Sequence, residues 1–278
     1  MKKIIKVISF FIVICLSQAT FAYPGETPFE ISEVKLETLE QNFTKSTSTK
    51  VVILTYHQVR DFNKKDNIFA KEFITPINIF ETQMKYLKEN DYSIISFDDL
   101  VNNLNKNTPL PENPVIITFD DGYRNQYTNA YPILKKYNLR ANFFIYTKAI
   151  NKNYPIAMSW KDIIDMDKNN MTIGAHTVSH PKLNKITDTK ILEREIAGSK
   201  KILEDKIGKP VNIFSYPYGL TNATVTKIVE EAGYIAAVSD SYGNYHTQKD
   251  IFKLNRYNIN SNMGLFYELF PAKKSTLK

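Results

Sequence analysis

Three short polar segments of the sequence each follow a run of apolar residues that is typical of a buried strand. The first is Thr118–Gly122 (TFDDG), with two adjacent carboxylates, and the second is His176–His180 (HTVSH). The third is Phe214–Gly219 (FSYPYG), whose proline and glycine indicate a tight turn. Together they offer two imidazoles and a carboxylate for a divalent ion, a second carboxylate for proton transfer, and aromatic surface for a ring-shaped substrate.

Two of these segments also have explanations that involve no chemistry. Asp120 and Asp121 could be solvated acids of a turn, and the chain must bend at Gly122 to bring both carboxylates to one edge, because successive strand side chains point oppositely. His176 and His180 could be a surface or core-capping pair. They lie four residues apart, however, and a turn of helix there would place both imidazoles on one face. The chain has only 4 histidines, and two fall in this pentapeptide, which favours a metal site.

The elements that must position these segments alternate along the chain. Strands are predicted over 51–55, 92–95, 115–119, 141–146, 171–175 and 211–213. Amphipathic helices are predicted between them: one with Phe80, Met84 and Leu87 on one face, one over 96–104, one over 127–137, one that ends at Gly208 and one that ends at Gly233. Such alternation predicts parallel pairing in a barrel or a doubly wound sheet, and both collect polar residues at the carboxyl ends of strands.

The N-terminus predicts export. Three lysines precede an apolar run over 7–16 that is too short to span a bilayer, and Thr20 and Ala22 offer small side chains three and one positions before a cleavage site. We therefore predict a signal peptide over 1–22, an N-terminal segment and polar linker over 23–50 that includes a short helix, and a larger domain over 51–278. The protein is expected to be secreted, periplasmic or attached to the cell surface.

The composition indicates a folded protein, and its charge narrows the partners. Hydrophobic residues make up 43% and charged residues 23% of the 278 residues, which excludes long disorder and a polytopic membrane protein. Loss of the three lysines of the leader lowers the formal charge from +7 to +4, and no Lys/Arg-rich block remains. No nucleic-acid partner is predicted, and an anionic cell envelope is a weak attractor. Lipidation at Cys15, the single cysteine, and an uncleaved anchor are the alternatives to cleavage.

The three motifs, in this order, resemble those of the polysaccharide deacetylases with a NodB-type domain, the fourth family of carbohydrate esterases. The resemblance covers residues 51–259, and the early segment Leu54–Val59 (LTYHQV) is similar to the subgroup that deacetylates poly-β-1,6-N-acetylglucosamine in biofilms. It implies a distorted (β/α) barrel with fewer than eight units. It also implies extracellular acetylated polysaccharides as the substrate class, from which the enzyme would release acetate. We expect the protein to be a monomer.

The resemblance assigns roles by position. Asp120 corresponds to the catalytic base, and Asp121, His176 and His180 correspond to the ligands of one divalent ion. Zinc is the expected ion, with nickel, cobalt and iron as alternatives, because these ligands suit all four. The biofilm subgroup uses the histidine of its early Tyr-His motif as the general acid, and that histidine is His57 here.

Two positions depart from the wider family. Many relatives carry an arginine two residues before the proline of the third motif, where it braces the base, and this chain has Ser215 there. Many also have a C-terminal Leu-x-x-His that supplies the general acid, whereas the comparable segment here is Lys253–Arg256 (KLNR). The acid is therefore expected from His57, with His246 as the alternative.

Substrate contacts are expected from Tyr218, Pro217, Tyr123 and Arg124 beside the motifs, and from Trp160, which could equally be a core anchor. Peptidoglycan, chitin oligomers and other acetylated glycans are the alternative substrates. Two other classes of protein fit less well. Iron oxygenases share the two-histidine, one-carboxylate set, but their His-x-Asp unit is absent from this sequence. A non-catalytic glycan-binding protein would be expected to have lost a ligand or the base, and none is lost.

Overall fold

The computed structural model describes residues 48–272. The predicted leader over 1–22 and the predicted helix of the N-terminal segment lie outside the described residues. Within 48–272, no helix combines the length and the hydrophobicity that crossing a bilayer would require. The strands and helices described below lie within residues 48–272, which comprise most of the predicted domain over 51–278 and the three residues before it.

Short strands recur along the whole of the described chain. They are β1 (Thr49–Lys50), β2 (Val52–Tyr56), β3 (Gln58–Val59), β4 (Ile74–Thr75), β5 (Ser93–Ile94), β6 (Pro114–Phe119), β7 (Asn142–Ile145), β8 (Thr172–Ala175), β9 (Ile213–Ser215), β10 (Ala236–Val238), β11 (Tyr245–His246) and β12 (Tyr257–Asn258). The two-stranded pairs β1–β11 and β3–β4 lie outside the main sheet.

Helices connect these strands. They are α1 (Ile68–Lys71), α2 (Ile77–Glu89), α3 (Phe97–Lys106), α4 (Tyr131–Lys136), α5 (Thr147–Asn151), α6 (Trp160–Lys168), α7 (Thr189–Ile207), α8 (Ala223–Glu231) and α9 (Met263–Leu269). A π-helix, Gln126–Ala130, leads directly into α4, and 3-10 turns occur at Leu183–Lys185, Pro217–Gly219 and Gln248–Asp250. Capping follows the sequence: Ser96 and Ser159 both form capping boxes, and Gly208 ends α7 in a left-handed conformation.

The main sheet is parallel and follows the order β10-β9-β8-β7-β6-β2-β12, with β5 beside β6. Neighbours in space are therefore mostly neighbours in sequence, as in a barrel, whereas a doubly wound sheet reverses its order at a switch point. Residues 254–258 join the two sides of the sheet. Leu254 forms an isolated bridge with Val238 of β10, and β12, at the end of the same segment, pairs with β2. The distorted barrel with fewer than eight units is confirmed.

The core has two parts because side chains alternate across each strand. On the outer face, Leu54, Ile117 and Phe143 pack against the apolar sides of the helices. On the inner face, Ile53 and Ile116 form a smaller buried cluster. The inner face of β6 continues through Thr118 to Asp120, so the strand carries a carboxylate to the rim of the barrel.

Two elements differ from the sequence-based expectation. The strand expected over 211–213 begins two residues later, because Glu204 accepts the main-chain N–H of Val211 and Lys200 donates to its carbonyl oxygen, which leaves Val211 no ladder partner. The polar linker predicted over 23–50 ends in a strand, since Thr49–Lys50 pair antiparallel with Tyr245–His246.

Candidate active site and metal centre

The three predicted metal ligands lie together at the carboxyl ends of β6 and β8. Asp121 Oδ1 is 3.2 Å from His180 Nε2 and 3.5 Å from His176 Nε2, and the two Nε2 atoms are 3.2 Å apart. A tetrahedral ion bound at about 2.0–2.2 Å separates its ligand atoms by roughly 3.3–3.6 Å. The donor set and its spacing therefore fit one zinc-like ion.

The tautomer of His176 supports the same fit. Its Nδ1 lies 2.7 Å from the main-chain oxygen of Ser215, which can only accept, so Nδ1 carries a proton and the neutral ring presents a lone pair at Nε2. Burial lowers the pKa of His176, but the charge of Asp120 and the hydrogen bond with Asp121 outweigh it and raise the pKa. Burial opposes ionisation of Asp121, yet hydrogen bonds from both histidines hold its pKa well below the usual range.

Both ligand segments depend on left-handed backbone conformations. Asp121 and Gly122 have φ of 77° and 70°, so the strand turns sharply, and both carboxylates reach the cavity at the rim as predicted. The prediction that the two histidines share a turn of helix was wrong. Thr177 and His180 have φ of 68° and 62°, and the Thr177 hydroxyl accepts the main-chain N–H of His180.

Glu195 of α7 explains why the histidine segment leaves the helical path. Its carboxylate accepts from both the main-chain N–H and the hydroxyl of Ser179, and its main-chain oxygen accepts from the N–H of Val178. Because side chains and a neighbouring helix satisfy these donors, the segment needs no helical hydrogen bonds. The loop still brings both imidazoles to Asp121.

Asp120 has different partners from those of Asp121. Arg256 donates to both of its oxygens, at 2.9 Å from Nη1 to Oδ1 and 2.7 Å from Nη2 to Oδ2, and the Ser215 hydroxyl donates to Oδ2 at 3.0 Å. Burial alone would raise the pKa of Asp120, but the positive charge of Arg256 reverses this and lowers it to about 2. A carboxylate has about four acceptor positions. Three are used here, and one remains for the cavity.

Arg256 is the functional residue that sequence reasoning missed. Its side chain is fully buried, and besides Asp120 it contacts Asp240 at 2.7 Å and the main-chain oxygen of Ser239 at 3.0 Å. It belongs to the KLNR segment, which the sequence marked only as lacking a histidine. Ser215 occupies the motif position where relatives carry arginine, and Arg256 reaches Asp120 beside it from residues 254–258.

His57 follows β2 and faces the same cavity as Asp120 and Asp121. Its ring packs edge-on against Phe73, with centroids 4.9 Å apart. Within the described residues, its Nδ1 is buried and has no hydrogen-bond partner. The alternative acid, His246, lies elsewhere: it is fully buried on β11, and its Nε2 lies 3.0 Å from the main-chain oxygen of Val51.

The turn of the third motif packs tightly against the loop that carries Asp240. Gly219 has φ of 64°, and a Cβ at this position would lie 2.5 Å from the main-chain nitrogen of Asp240. Tyr218 also has a left-handed φ, of 60°, and its side chain is 53% exposed. The centroid of its ring is 4.7 Å from that of His180, and the Lys182 ammonium lies 5.3 Å from the centroid of the tyrosine ring. Tyr218 therefore forms an aromatic wall directly beside the predicted metal ligand His180.

A cavity of about 950 Å³ opens over this site. Besides the residues already described, it is lined by Gln58, Ala70, Tyr123, Tyr146, Lys148, Tyr154, Ser179, Tyr242 and Asn258. Burial and the negative charge of Asp121 raise the pKa of Tyr123, so its hydroxyl stays protonated and can donate. Trp160, Pro217 and Arg124 do not line this cavity. The Trp160 indole instead contacts Asn151 and lies under the Lys206 ammonium, so the structure places it with the helices.

Comparison with known proteins identifies the family. Residues 107–237 match the profile of the polysaccharide deacetylase family. The chain is also 30% identical over 215 residues to YxkH of Bacillus subtilis (strain 168), whose name assigns it to the polysaccharide deacetylases, and the match covers 77% of this chain and 73% of that protein. This chain is a polysaccharide deacetylase. Members of the family are hydrolases that act on amide bonds.

Two further relatives of this deacetylase carry more specific names. It is 28% identical over 208 residues to the poly-β-1,6-N-acetyl-D-glucosamine N-deacetylase of Staphylococcus aureus (strain MRSA252), over 68% of this chain and 71% of that enzyme. The solved structure of the Streptococcus pyogenes deacetylase PplD in complex with acetate matches with a TM-score of 0.74 at 26% identity, over 82% of this chain and 100% of the other. The fold of this deacetylase is thus shared along nearly all of its described length.

Proposed function

We propose that this polysaccharide deacetylase is a metal-dependent N-deacetylase of an extracellular N-acetylglucosamine polymer, with poly-β-1,6-N-acetylglucosamine as its substrate. The observation that supports the proposal most directly is that two adjacent carboxylates have different partners. Asp121 faces two imidazoles, while Asp120 is paired with Arg256 and keeps one acceptor position toward the cavity. One carboxylate is thereby suited to hold an ion and the other to accept a proton.

Asp121, His176 and His180 would hold the divalent ion, for which we propose zinc. When bound, such an ion polarises the acetyl carbonyl and makes water more acidic. Three protein ligands leave positions open for water and substrate, as catalytic zinc sites require. The hydrogen bond from His176 Nδ1 to the Ser215 carbonyl fixes the ring in the orientation that this role needs.

Asp120 and His57 would handle the protons of the reaction. Asp120 accepts a proton from the water whose oxygen attacks the acetyl carbon. His57, in its protonated form, then donates to the sugar nitrogen as the C–N bond breaks. A new C–O bond forms, and the products are acetate and a free amine. Burial of His246 away from the cavity supports His57 as the acid of the two candidates.

The choice of polymer rests on two observations. The Staphylococcus aureus relative is named for the β-1,6-linked polymer. The Leu54–Val59 segment, which resembles that subgroup, carries His57 into the cavity.

Tyr218 offers an exposed ring against which a sugar can stack. Export through the predicted leader over 1–22 belongs to the same proposal, because an extracellular polymer must be met outside the cell, where the protein would act as a monomer.

Acetate release from a panel of substrates tests the proposed activity. The zinc-loaded protein would be incubated with β-1,6-linked and β-1,4-linked N-acetylglucosamine oligomers and with peptidoglycan, and acetate would be quantified over time. We expect the β-1,6-linked oligomers to react fastest. Faster release from peptidoglycan or from β-1,4-linked oligomers would assign the enzyme to one of the alternative substrates.

Metal analysis tests the ligand assignment separately. We expect one zinc ion per chain, and loss of both zinc and activity when His176 and His180 are replaced by alanine. His246→Ala is the matched control, since it removes an imidazole that is remote from the triad. Full zinc content in the double variant would contradict the assignment.

A further inference from the structure

The buried side chain of Gln126 joins the two strand ends that carry the proposed acid and base. It begins the π-helix Gln126–Ala130 and has no exposed surface. Its Nε2 donates to the main-chain oxygen of His57 at 2.8 Å and to that of Asp120 at 2.5 Å. A carboxamide NH₂ group has two hydrogens, so one side chain holds both carbonyl groups at once.

This link lies just beyond the last pair of the parallel ladder. Tyr56 and Phe119 are paired in register between β2 and β6, and the Asp120 N–H donates to the Tyr56 carbonyl at 3.0 Å. The sheet therefore still holds the Asp120 N–H, but the carbonyl groups of His57 and Asp120 lie beyond the ladder and accept from Gln126 instead. Gln126 replaces the missing ladder contacts at the point where the two chains turn toward the cavity.

Neighbouring side chains of the same turn hold the residues after His57. The side-chain oxygen of Asn125 accepts the main-chain N–H of Val59 at 2.9 Å, and Asn129 Nδ2 donates to the Val59 carbonyl at 2.8 Å. The acid-bearing segment is thus attached to this turn at several points, but only Gln126 also reaches Asp120. π-Helical turns are often found at functional sites, where the extra residue redirects side chains.

We propose that Gln126 is a positioning residue that sets the separation of His57 and Asp120. The inference rests on the proposed roles of these two residues as acid and base. Because Gln126 touches only their main-chain carbonyls, it acts through them and not on the substrate. The hydrogen bonds of Gln126 Nε2 go to these two carbonyls and not to the side chains of Tyr218 or the metal triad, so substrate binding and zinc content should survive its replacement.

Steady-state kinetics of Gln126→Met test the proposal. Methionine has a similar length and shape but donates no hydrogen bond, so both carbonyl groups lose their partner. Misplacement of a catalytic group by about 1 Å can cost on the order of 10²-fold in rate. We expect kcat on the β-1,6-linked oligomer to fall about 10-fold to 10²-fold, with KM and zinc content close to those of the wild type.

Asn129→Leu is the matched control, because it removes one hydrogen bond from the same turn to the same segment without reaching His57 or Asp120. We expect its kcat to stay within about threefold of the wild type if the bond is structural. Gln126→Asn retains the amide on a shorter chain that reaches one carbonyl at most, so an intermediate kcat is expected, and it serves if Gln126→Met does not fold. Equal kcat losses in Gln126→Met and Asn129→Leu would overturn the proposal.

A double-variant cycle separates this inference from the proposed function. If Gln126 acts by setting the acid–base separation, Gln126→Met should cost little more in a His57→Ala protein, since one member of the pair is already absent. A full and independent loss in that background would overturn the positioning role. Normal turnover of His57→Ala alone would instead remove His57 from the proposed mechanism, so the two failures give different results.

Discussion

Replacement of Arg256 by methionine tests the charge pairing on which the site depends. In the wild type, the buried carboxylate of Asp120 accepts two hydrogen bonds from Arg256 and one from Ser215. Methionine leaves only the bond from the Ser215 hydroxyl, so Asp120 becomes an uncompensated buried charge. We expect a large loss of stability together with a loss of turnover.

The magnitude follows from the burial of the pair. Breaking a buried ion pair by removing one partner costs about 3–5 kcal/mol. Asp240, the other carboxylate bound to Arg256, is 36% exposed and adds little, because water screens it. For a domain of this size, each kcal/mol lowers Tm by about 2–4 °C, so a fall of roughly 6–20 °C is expected.

The assay is thermal and urea unfolding of Arg256→Met beside a matched arginine variant. Arg140 pairs with Asp99 at a similar distance, 2.8 Å, but from a position that is 34% exposed, so Arg140→Met should cost no more than about 1 kcal/mol. Arg256→Met combined with Asp120→Asn should recover part of the loss, because the unpaired charge is gone. Equal Tm values for the two arginine variants, with normal turnover of Arg256→Met, would refute the reasoning.

Three further outcomes are expected. Asp120→Asn should keep its zinc, measured by elemental analysis, and lose nearly all turnover, because an amide cannot accept the proton; zinc loss would make Asp120 a ligand instead. Burial lowers the pKa of His246, so unfolding takes up a proton below about pH 6.5, and the wild type should lose stability as pH falls from there. His246→Gln should flatten that slope in urea titrations, and an unchanged slope would contradict the assignment. Gly219→Ala should lower Tm and kcat together, since its Cβ would meet the main chain of Asp240, and a wild-type Tm would show that the turn can relax.

The predictable part of the molecule is the part with local signals. Apolar runs located six of the eight strands of the main sheet, all but β10 and β12, and their alternation with amphipathic helices predicted a parallel architecture. The candidate ligands Asp121, His176 and His180 could be identified because they lie in polar segments that follow buried strands. Their assembly then followed from the rule that carboxyl ends of parallel strands meet at one rim.

The unpredicted part depends on contacts between distant residues. Arg256 and Asp120 are 136 positions apart, and nothing in KLNR indicates burial, since an isolated arginine is usually exposed. The turn at His176–His180 was misjudged because its donors are satisfied by Glu195 of α7, which no spacing rule reveals. Gln126 gave no signal either, because its partners are main-chain carbonyls.

The position of residues 254–258 makes the pairing of Asp120 depend on a late step of folding. These residues bridge β10 at Leu254 and pair with β2 at β12, and Arg256 lies between the two contacts. Until this segment docks, Asp120 has no arginine, and its burial is unfavourable. A partly folded chain that lacks this last strand therefore lacks the buried ion pair between Arg256 and Asp120, even if Asp121, His176 and His180 are already close together. We therefore expect turnover to appear during refolding only after residues 254–258 have docked. The hydrogen-exchange rate of their amides should then fall at the same time as turnover appears.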